Sequence, residues 1–234
     1  MKKDPFILIS LILLLFVLNY SFLDEKLEGF LVNQDSVLVE RIIDGDTIEI
    51  ENKTSVRLLG INSPEKGEFY YEEAKEFLED LILNKQVELE YVGERKDKYG
   101  RTLAYIYFNE ENINLKLVEE GFANYYFYSG KDKHSDDLMD AWDSCIENNL
   151  NLCEKSTNIC ELCISINKNK ITNNCDFDCD IIDWEIKGEG RKKFIFQNET
   201  QLKQGEEISF ELELTGSGDT LFLREGDGGL IIST

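Results

Sequence analysis

Histidine is almost missing from this chain: one residue of 234, His134. That excludes a multi-histidine zinc site and a histidine general base. His134 lies in the polar run Lys131-Asp132-Lys133-His134-Ser135 and is expected to be exposed. Cysteine is absent ahead of Cys145, so no thiolate stands in the amino-terminal half. Positive charge is also scarce, with 25 Lys/Arg against 47 Asp/Glu and a formal net charge of −22. Residues 37–152 alone carry 13 Lys/Arg against 26 Asp/Glu. Phosphate contacts supply most nucleic-acid affinity, so a broad basic binding face is excluded. What remains is a solvated acidic surface with one small basic spot, drawn from Arg57, Lys96, Lys98 and Arg101.

Long apolar runs are missing too, except at the start. Lys2-Lys3 precede an apolar stretch from Phe6 to Leu18 that continues to Leu23. It is nearly long enough to span a bilayer, and the lysines favour an amino end left in the cytoplasm. No small-residue cleavage site follows. A signal anchor over residues 1–24 is therefore expected, with a cleaved signal and a secreted product as the alternative. Residues 25–35 form a charged linker. Either reading places the rest outside the cytoplasm.

The informative stretch is Val39 to Glu65, VERIIDGDTIEIENKTSVRLLGINSPE. Three strands are expected, Val39 to Ile43, Thr47 to Glu51 and Ser55 to Ile61, and Asp44-Gly45-Asp46 is a strong hairpin turn. The turns hold Asp46, Arg57, Asn62 and Glu65. Oxygen donors suit a hard cation, a carboxylate beside water can act as a base, and a guanidinium fork matches phosphate. Taken singly, each has a plainer use: a turn acid, an Arg57 ion pair with Glu40 or Glu49, a first-turn helix acid. A second stretch, Glu94 to Arg101, carries Asp97-Lys98-Tyr99-Gly100-Arg101 ahead of the strand Leu103-Ala104-Tyr105-Ile106-Tyr107.

DGDT, then VRLLGINSPE, then DKYGR followed by LAYIY, resembles the staphylococcal nuclease (thermonuclease) family over residues 36–152. The resemblance implies a phosphodiester hydrolase acting on DNA or RNA. It implies Glu65 as general base, and Arg57 and Arg101 as the arginines that hold the phosphate and stabilise its developing charge. It further implies Asp46, Asn62 and the backbone carbonyl near Ser63 as ligands of Ca2+, with Lys98 and Tyr99 flanking the substrate. The family usually has aspartate at position 62. Asparagine offers one neutral oxygen, so the metal binds more weakly or another acid compensates. Phe127 stands near a position where the family carries a stacking tyrosine. Tyr125, Tyr126 and Tyr128 adjoin it, as core and rim packing or as a displaced stacking platform.

Helical spacing is read over Gly67 to Leu83, Ile113 to Glu120 and Met139 to Asn149, with strands at Gln86 to Val92 and Arg101 to Phe108. The order fits a mainly β fold with α: a five-stranded Greek-key barrel of the oligonucleotide-binding (OB) type with three helices. The six cysteines, Cys145, Cys153, Cys160, Cys163, Cys175 and Cys179, favour disulfides beyond an anchor. Cys145 with Cys153 is plausible, and Cys160-x2-Cys163 with Cys175-x3-Cys179 also has zinc-site spacing. Residues 153–234 form a cysteine-containing second domain. From Ile159 onward, apolar runs alternate with glycine turns, as expected of a small β-sandwich. The run IIDWEIKGEGRKKFIF … LKQGEEISFELEL … GDTLFLREGDGGLIIST resembles the immunoglobulin-like lamin-tail domain, with Trp184 as its core tryptophan. That resemblance implies an accessory that binds a ligand of unknown identity. The expected whole is a membrane-anchored monomer outside the cytoplasm that cuts nucleic acid. The rival is a surface-binding module whose barrel has lost turnover through Asn62.

Overall fold

A computed structural model describes residues 35–197, 200–213 and 220–233. The expected anchor over residues 1–24, and nearly all of the linker after it, lie outside the described residues. Among the described residues, no helix is long and apolar enough to cross a membrane.

The amino-terminal half opens with β1 (Asp35–Asp44), β2 (Thr47–Ile50), β3 (Thr54–Leu58) and β4 (Ile61–Asn62). Then come α1 (Tyr71–Ile82), β5 (Gln86–Glu90), β6 (Thr102–Phe108) and β7 (Glu111–Asn112). The half closes with α2 (Ile113–Glu119), β8 (Asn124–Tyr125) and α3 (Ser135–Asn148). Neighbouring strands run β3-β2-β1-β5-β6-β7, and β3 also pairs with β6 in parallel, Arg57 opposite Leu103. That pairing closes β1, β2, β3, β5 and β6 into the five-stranded barrel expected from sequence. Alternation fills it: Val39, Ile48, Val56, Leu89, Ala104 and Ile106 are all buried.

The expected single strand from Ser55 to Ile61 is instead two strands broken at Leu59-Gly60. Gly60 takes φ +78°, and a Cβ there would meet the Tyr105 hydroxyl at 2.6 Å. A side chain at position 60 is barred by conformation and by space. The break turns β4 away from the barrel to pair with β8, Asn62 opposite Asn124. Asn114 fixes the same corner. Its side chain accepts from the Ile106 amide at 3.0 Å and donates to the Leu59 carbonyl at 2.7 Å.

The helices follow their apolar spacing. α1 buries Ala74, Leu78 and Ile82 and starts later than Gly67, because Tyr70 is left-handed at φ 65°. The Asn112 side chain caps α2 by accepting from the amides of Asn114 and Leu115. α3 begins at Ser135, ahead of the expected Met139. Its first turn is acidic, Asp136 and Asp137, which suits the helix dipole but carries no apolar period. His134 precedes α3 and is not at the open surface. Its Nε2 lies 2.8 Å from Glu90 and its ring packs on Tyr105 at 4.3 Å.

The carboxy-terminal half contributes β9 (Ile164–Asn167), β10 (Lys170–Asn173), β11 (Cys179–Asp180), β12 (Glu185–Lys187) and β13 (Lys193–Ile195). It continues with β14 (Gln201–Leu202), β15 (Glu207–Ser209), β16 (Phe222–Arg224) and β17 (Leu230–Ser233). They form three small sheets, β15-β10-β9, β11-β14 and β13-β12-β16-β17. Their core gathers Trp184, Ile171, Ile181, Ile186, Phe196, Phe210 and Leu223. All six cysteines are paired, Cys145–Cys153, Cys160–Cys179 and Cys163–Cys175. The zinc alternative is thereby overturned, since a disulfide sulfur is not a thiolate ligand.

The halves share a core. Phe222 and Leu230 belong to the barrel's apolar cluster, and the Phe222 ring meets Trp142 edge-on at 5.2 Å. Tyr125 shares a hydrogen bond with Thr220 and stacks on Phe127 at 5.3 Å. It is buried, which favours the packing role over a stacking platform.

Candidate active site

The β1–β2 turn, the β3–β4 corner and the loop after β4 meet at one end of the barrel. Gly45 allows it, because a Cβ there would press to 2.8 Å from Ala74 Cβ and 2.9 Å from Ser63 Cβ. The close approach puts Asp46 against the start of the Ser63 loop. Asp46 Oδ2 accepts the Ser63 amide at 2.9 Å, and Oδ1 accepts the Thr47 hydroxyl at 2.9 Å. Arg57 Nη2 lies 2.8 Å from Asp46 Oδ2 and 3.4 Å from Asn62 Oδ1, and its Nη1 donates to the Leu58 carbonyl at 2.7 Å. The expected alternatives for Arg57 do not hold, since Asp46 is its partner and Glu49 pairs with Arg41.

Asp46, Arg57, Asn62 and Ser63 are all buried. Burial alone would push the Asp46 carboxyl up. The Arg57 charge, the Ser63 amide and the Thr47 hydroxyl outweigh it and hold Asp46 below the usual range. Burial presses Arg57 down, partly offset by Asp46, and the charges of Arg101 and Arg191 add to the depression. Arg101 and Arg191 therefore both lie within electrostatic reach of Arg57. The Asn62 Nδ2 is buried without a hydrogen-bond partner among the described residues.

Arg101 is held within its own loop. Asp97 accepts its Nε at 2.7 Å and its backbone amide at 3.0 Å, and also takes the Tyr99 amide. Tyr99 stands exposed with its ring 5.1 Å from Lys98 Nζ and 5.6 Å from the Arg101 guanidinium. Lys98 and Tyr99 thus flank Arg101 at the rim rather than joining the buried cluster. Glu65 is also at the rim, half-exposed, and its carboxylate is paired with Arg191 from the carboxy-terminal half. It is not a helix acid, since α1 starts six residues later.

Sequence reasoning missed three members. Asp97 positions Arg101 inside a motif already singled out. Asp44 accepts the Asp46 amide at 3.1 Å, and burial, then the Asp46 charge, push its carboxyl up to about 6. Arg191 sits in Arg191-Lys192-Lys193, which reads as a turn flank and carries no signal linking it to the barrel.

The oxygen groups near the turn are the carboxylates of Asp44 and Asp46 and the Asn62 side-chain carbonyl, with Asp46 Oδ2 and Asn62 Oδ1 turned to Arg57. That set fits a hard divalent cation such as calcium. Asp44, raised by burial and then by the Asp46 charge, is the acid that can compensate for a neutral residue 62. A carboxyl with folded-state pKa near 6 favours folding when protonated, below its ordinary 3.8, and that contribution is lost as the pH rises through 6. Asp44→Asn should therefore raise the stability of the metal-free protein at pH 8 by on the order of 1–2 kcal/mol, and change little at pH 4. Thermal melts in chelator at the two pH values check this.

The structure is a five-stranded barrel with a buried arginine–carboxylate pair at one end and a half-exposed acid, Glu65, paired to a second arginine. Comparison with known proteins gives the class. Residues 55–155 match the model of the staphylococcal nuclease homologues. The chain is 39% identical over 133 residues to the thermonuclease of Staphylococcus intermedius, covering 53% of this chain and 79% of that protein. It is 34% identical over 155 residues to the thermonuclease of Staphylococcus hyicus, covering 60% of this chain and 92% of that protein. Endonuclease YncB of Bacillus subtilis is 35% identical over 112 residues, 43% of this chain and 53% of that protein. The chain belongs to the staphylococcal nuclease family.

Proposed function

We propose that this protein is a calcium-dependent endonuclease that hydrolyses phosphodiester bonds of DNA or RNA outside the cytoplasm. The observation that supports the reading is the buried Arg57–Asp46 pair, with the charges of Arg101 and of Arg191, the partner of Glu65, felt at Arg57. The family's nuclease members support the same chemistry. Glu65 takes a proton from water as the water oxygen bonds to phosphorus. The bond from phosphorus to the leaving ester oxygen breaks, and that oxygen gains a proton from solvent. Arg57 and Arg101 hold the non-bridging oxygens and stabilise their added charge. Asp46, Asn62, Ser63 and Asp44 would hold calcium, which supplies a fixed positive charge beside the phosphate. Lys98 and Tyr99 receive the flanking sugar or terminal phosphate.

The three disulfides support an oxidising compartment. They accord with membrane attachment through residues 1–24, or with secretion once that segment is cut. The Trp184-centred sheets are read as an immunoglobulin-like accessory of the lamin-tail type. A purified full-length protein should cut denatured DNA in calcium and stop in chelator, and an inert wild type would refute the reading.

Asn62 favours testing one rival, a binding module that has lost turnover. Its Oδ1 faces Arg57 and its Nδ2 is orphaned, so aspartate there adds a charge and removes an unsatisfied donor. Asn62→Asp should tighten calcium binding about tenfold, in line with the dependence of affinity on ligand charge. It should raise cutting at low calcium without being required for it. If only Asn62→Asp cuts, the native protein is the rival.

A further inference from the structure

We propose that Arg191, from the carboxy-terminal half, is a third phosphate-binding arginine of the nuclease site and grips the strand being cut. The inference rests on the nuclease reading and extends it to residues beyond the family match, which ends at 155.

The turn between β12 and β13 is fastened to the site floor. Asn124, which pairs with Asn62, donates its side-chain amide to the Glu189 carbonyl at 3.0 Å. The Glu189 carboxylate accepts the Phe127 amide at 3.1 Å and the Thr220 amide at 3.1 Å. The strands flanking this turn also brace the Glu65 loop. Lys187 and Lys193 lie 2.7 and 3.1 Å from Glu68, which in turn accepts the Glu65 amide at 2.9 Å. Arg191 is carried between these anchors. Its Nε meets Glu65, and its charge is felt at Arg57 together with that of Arg101.

Two features favour phosphate over a lock on Glu65. The pair is open to water on both sides, with side chains 52% and 38% exposed, so it is screened and easily exchanged. A guanidinium also has five donors, and one Nε contact does not exhaust it. An arriving phosphodiester brings an anion to a place where the charges of Arg101 and Arg191 are both felt at Arg57. Arg191 then swings from the Glu65 carboxylate to a phosphate oxygen, which frees Glu65 to accept a proton. In a chain of net charge −22, a placed arginine supplies attraction that the general surface cannot.

The test uses full-length wild type, Arg191→Ala and Arg191→Lys. Steady-state cutting of a single-stranded oligonucleotide in calcium gives kcat and KM. Anisotropy of fluorescein-labelled oligothymidylate in chelator gives Kd without cutting, from about 50 to about 200 mM salt. Arg191→Ala should raise KM about tenfold, the loss expected for one charge-assisted contact, with little change in kcat. It should lower the slope of log Kd against log salt by about 0.7, one phosphate contact on a single strand. Arg191→Lys should restore the slope but not the whole of KM, and it stands in if the alanine variant folds poorly. Unchanged KM and slope overturn the proposal. So does a faster kcat at unchanged KM, which would make Arg191 a lock on the base. If the wild type does not cut at all, the nuclease reading fails, and the binding arm still decides Arg191.

Discussion

Glu65→Gln should lower kcat on denatured DNA by about 10²–10⁴-fold, the usual contribution of a positioned general base. Shape is kept, and the protein should melt close to the wild type. Glu65 is at the rim, its backbone is held through Glu68, and its carboxylate pairs only with half-exposed Arg191. Exposed pairs of that kind contribute about 0–1 kcal/mol. The expected signature is therefore a large kinetic loss without a structural one. Substrate binding in chelator should be retained, because glutamine removes a negative charge from the phosphate's neighbourhood. Equal cutting by wild type and Glu65→Gln would remove Glu65 from its role and shift the search for a base to Asp44, the acid beside Asp46.

The barrel was legible because its strands alternate and its turns use Asp-Gly and Asn. The motif order DGDT, VRLLGINSPE singles out Asp46 and Arg57, which pair at 2.8 Å, and DKYGR singles out Arg101, whose charge is felt at Arg57. The hidden parts have physical causes. The Leu59-Gly60 break follows from a contact with Tyr105, which lies far along the chain, so no local pattern announces it. The first turn of α3 is polar and shows no apolar period until Leu138. Asp44 read as a turn residue, and its shifted titration arises only from burial beside Asp46. Arg191 needed the tertiary fold altogether, because the contacts that deliver it join residues more than sixty positions apart. His134 was misjudged for the opposite reason. Its neighbours are polar, but Glu90 and Tyr105 come to it from the barrel.

Arg57→Ala should fail twice, in folding and in turnover, and calcium should separate the failures. Arg57 and Asp46 are both buried, and the Arg57 guanidinium is the largest of the groups that keep Asp46 ionised against its burial. Removing one partner of a buried pair strands the other, at about 3–5 kcal/mol. For a chain of this size that is a fall in melting temperature on the order of 10 °C. Asp44, already raised to about 6 by burial and by Asp46, worsens the site because the two acids then face each other without a counter-charge. The same vacancy is a better cation site than the wild type has, so millimolar calcium should return part of the lost stability. Turnover should not return with it. A cation near Asp46 cannot supply the bidentate donors that a guanidinium offers a phosphate, and a loss of about 10²–10³-fold in kcat should persist at saturating calcium. Melts and initial rates on the same calcium series measure both. If cutting recovers in step with melting temperature, Arg57 is a structural partner of Asp46 alone, and the phosphate is held by Arg101 and Arg191 without it.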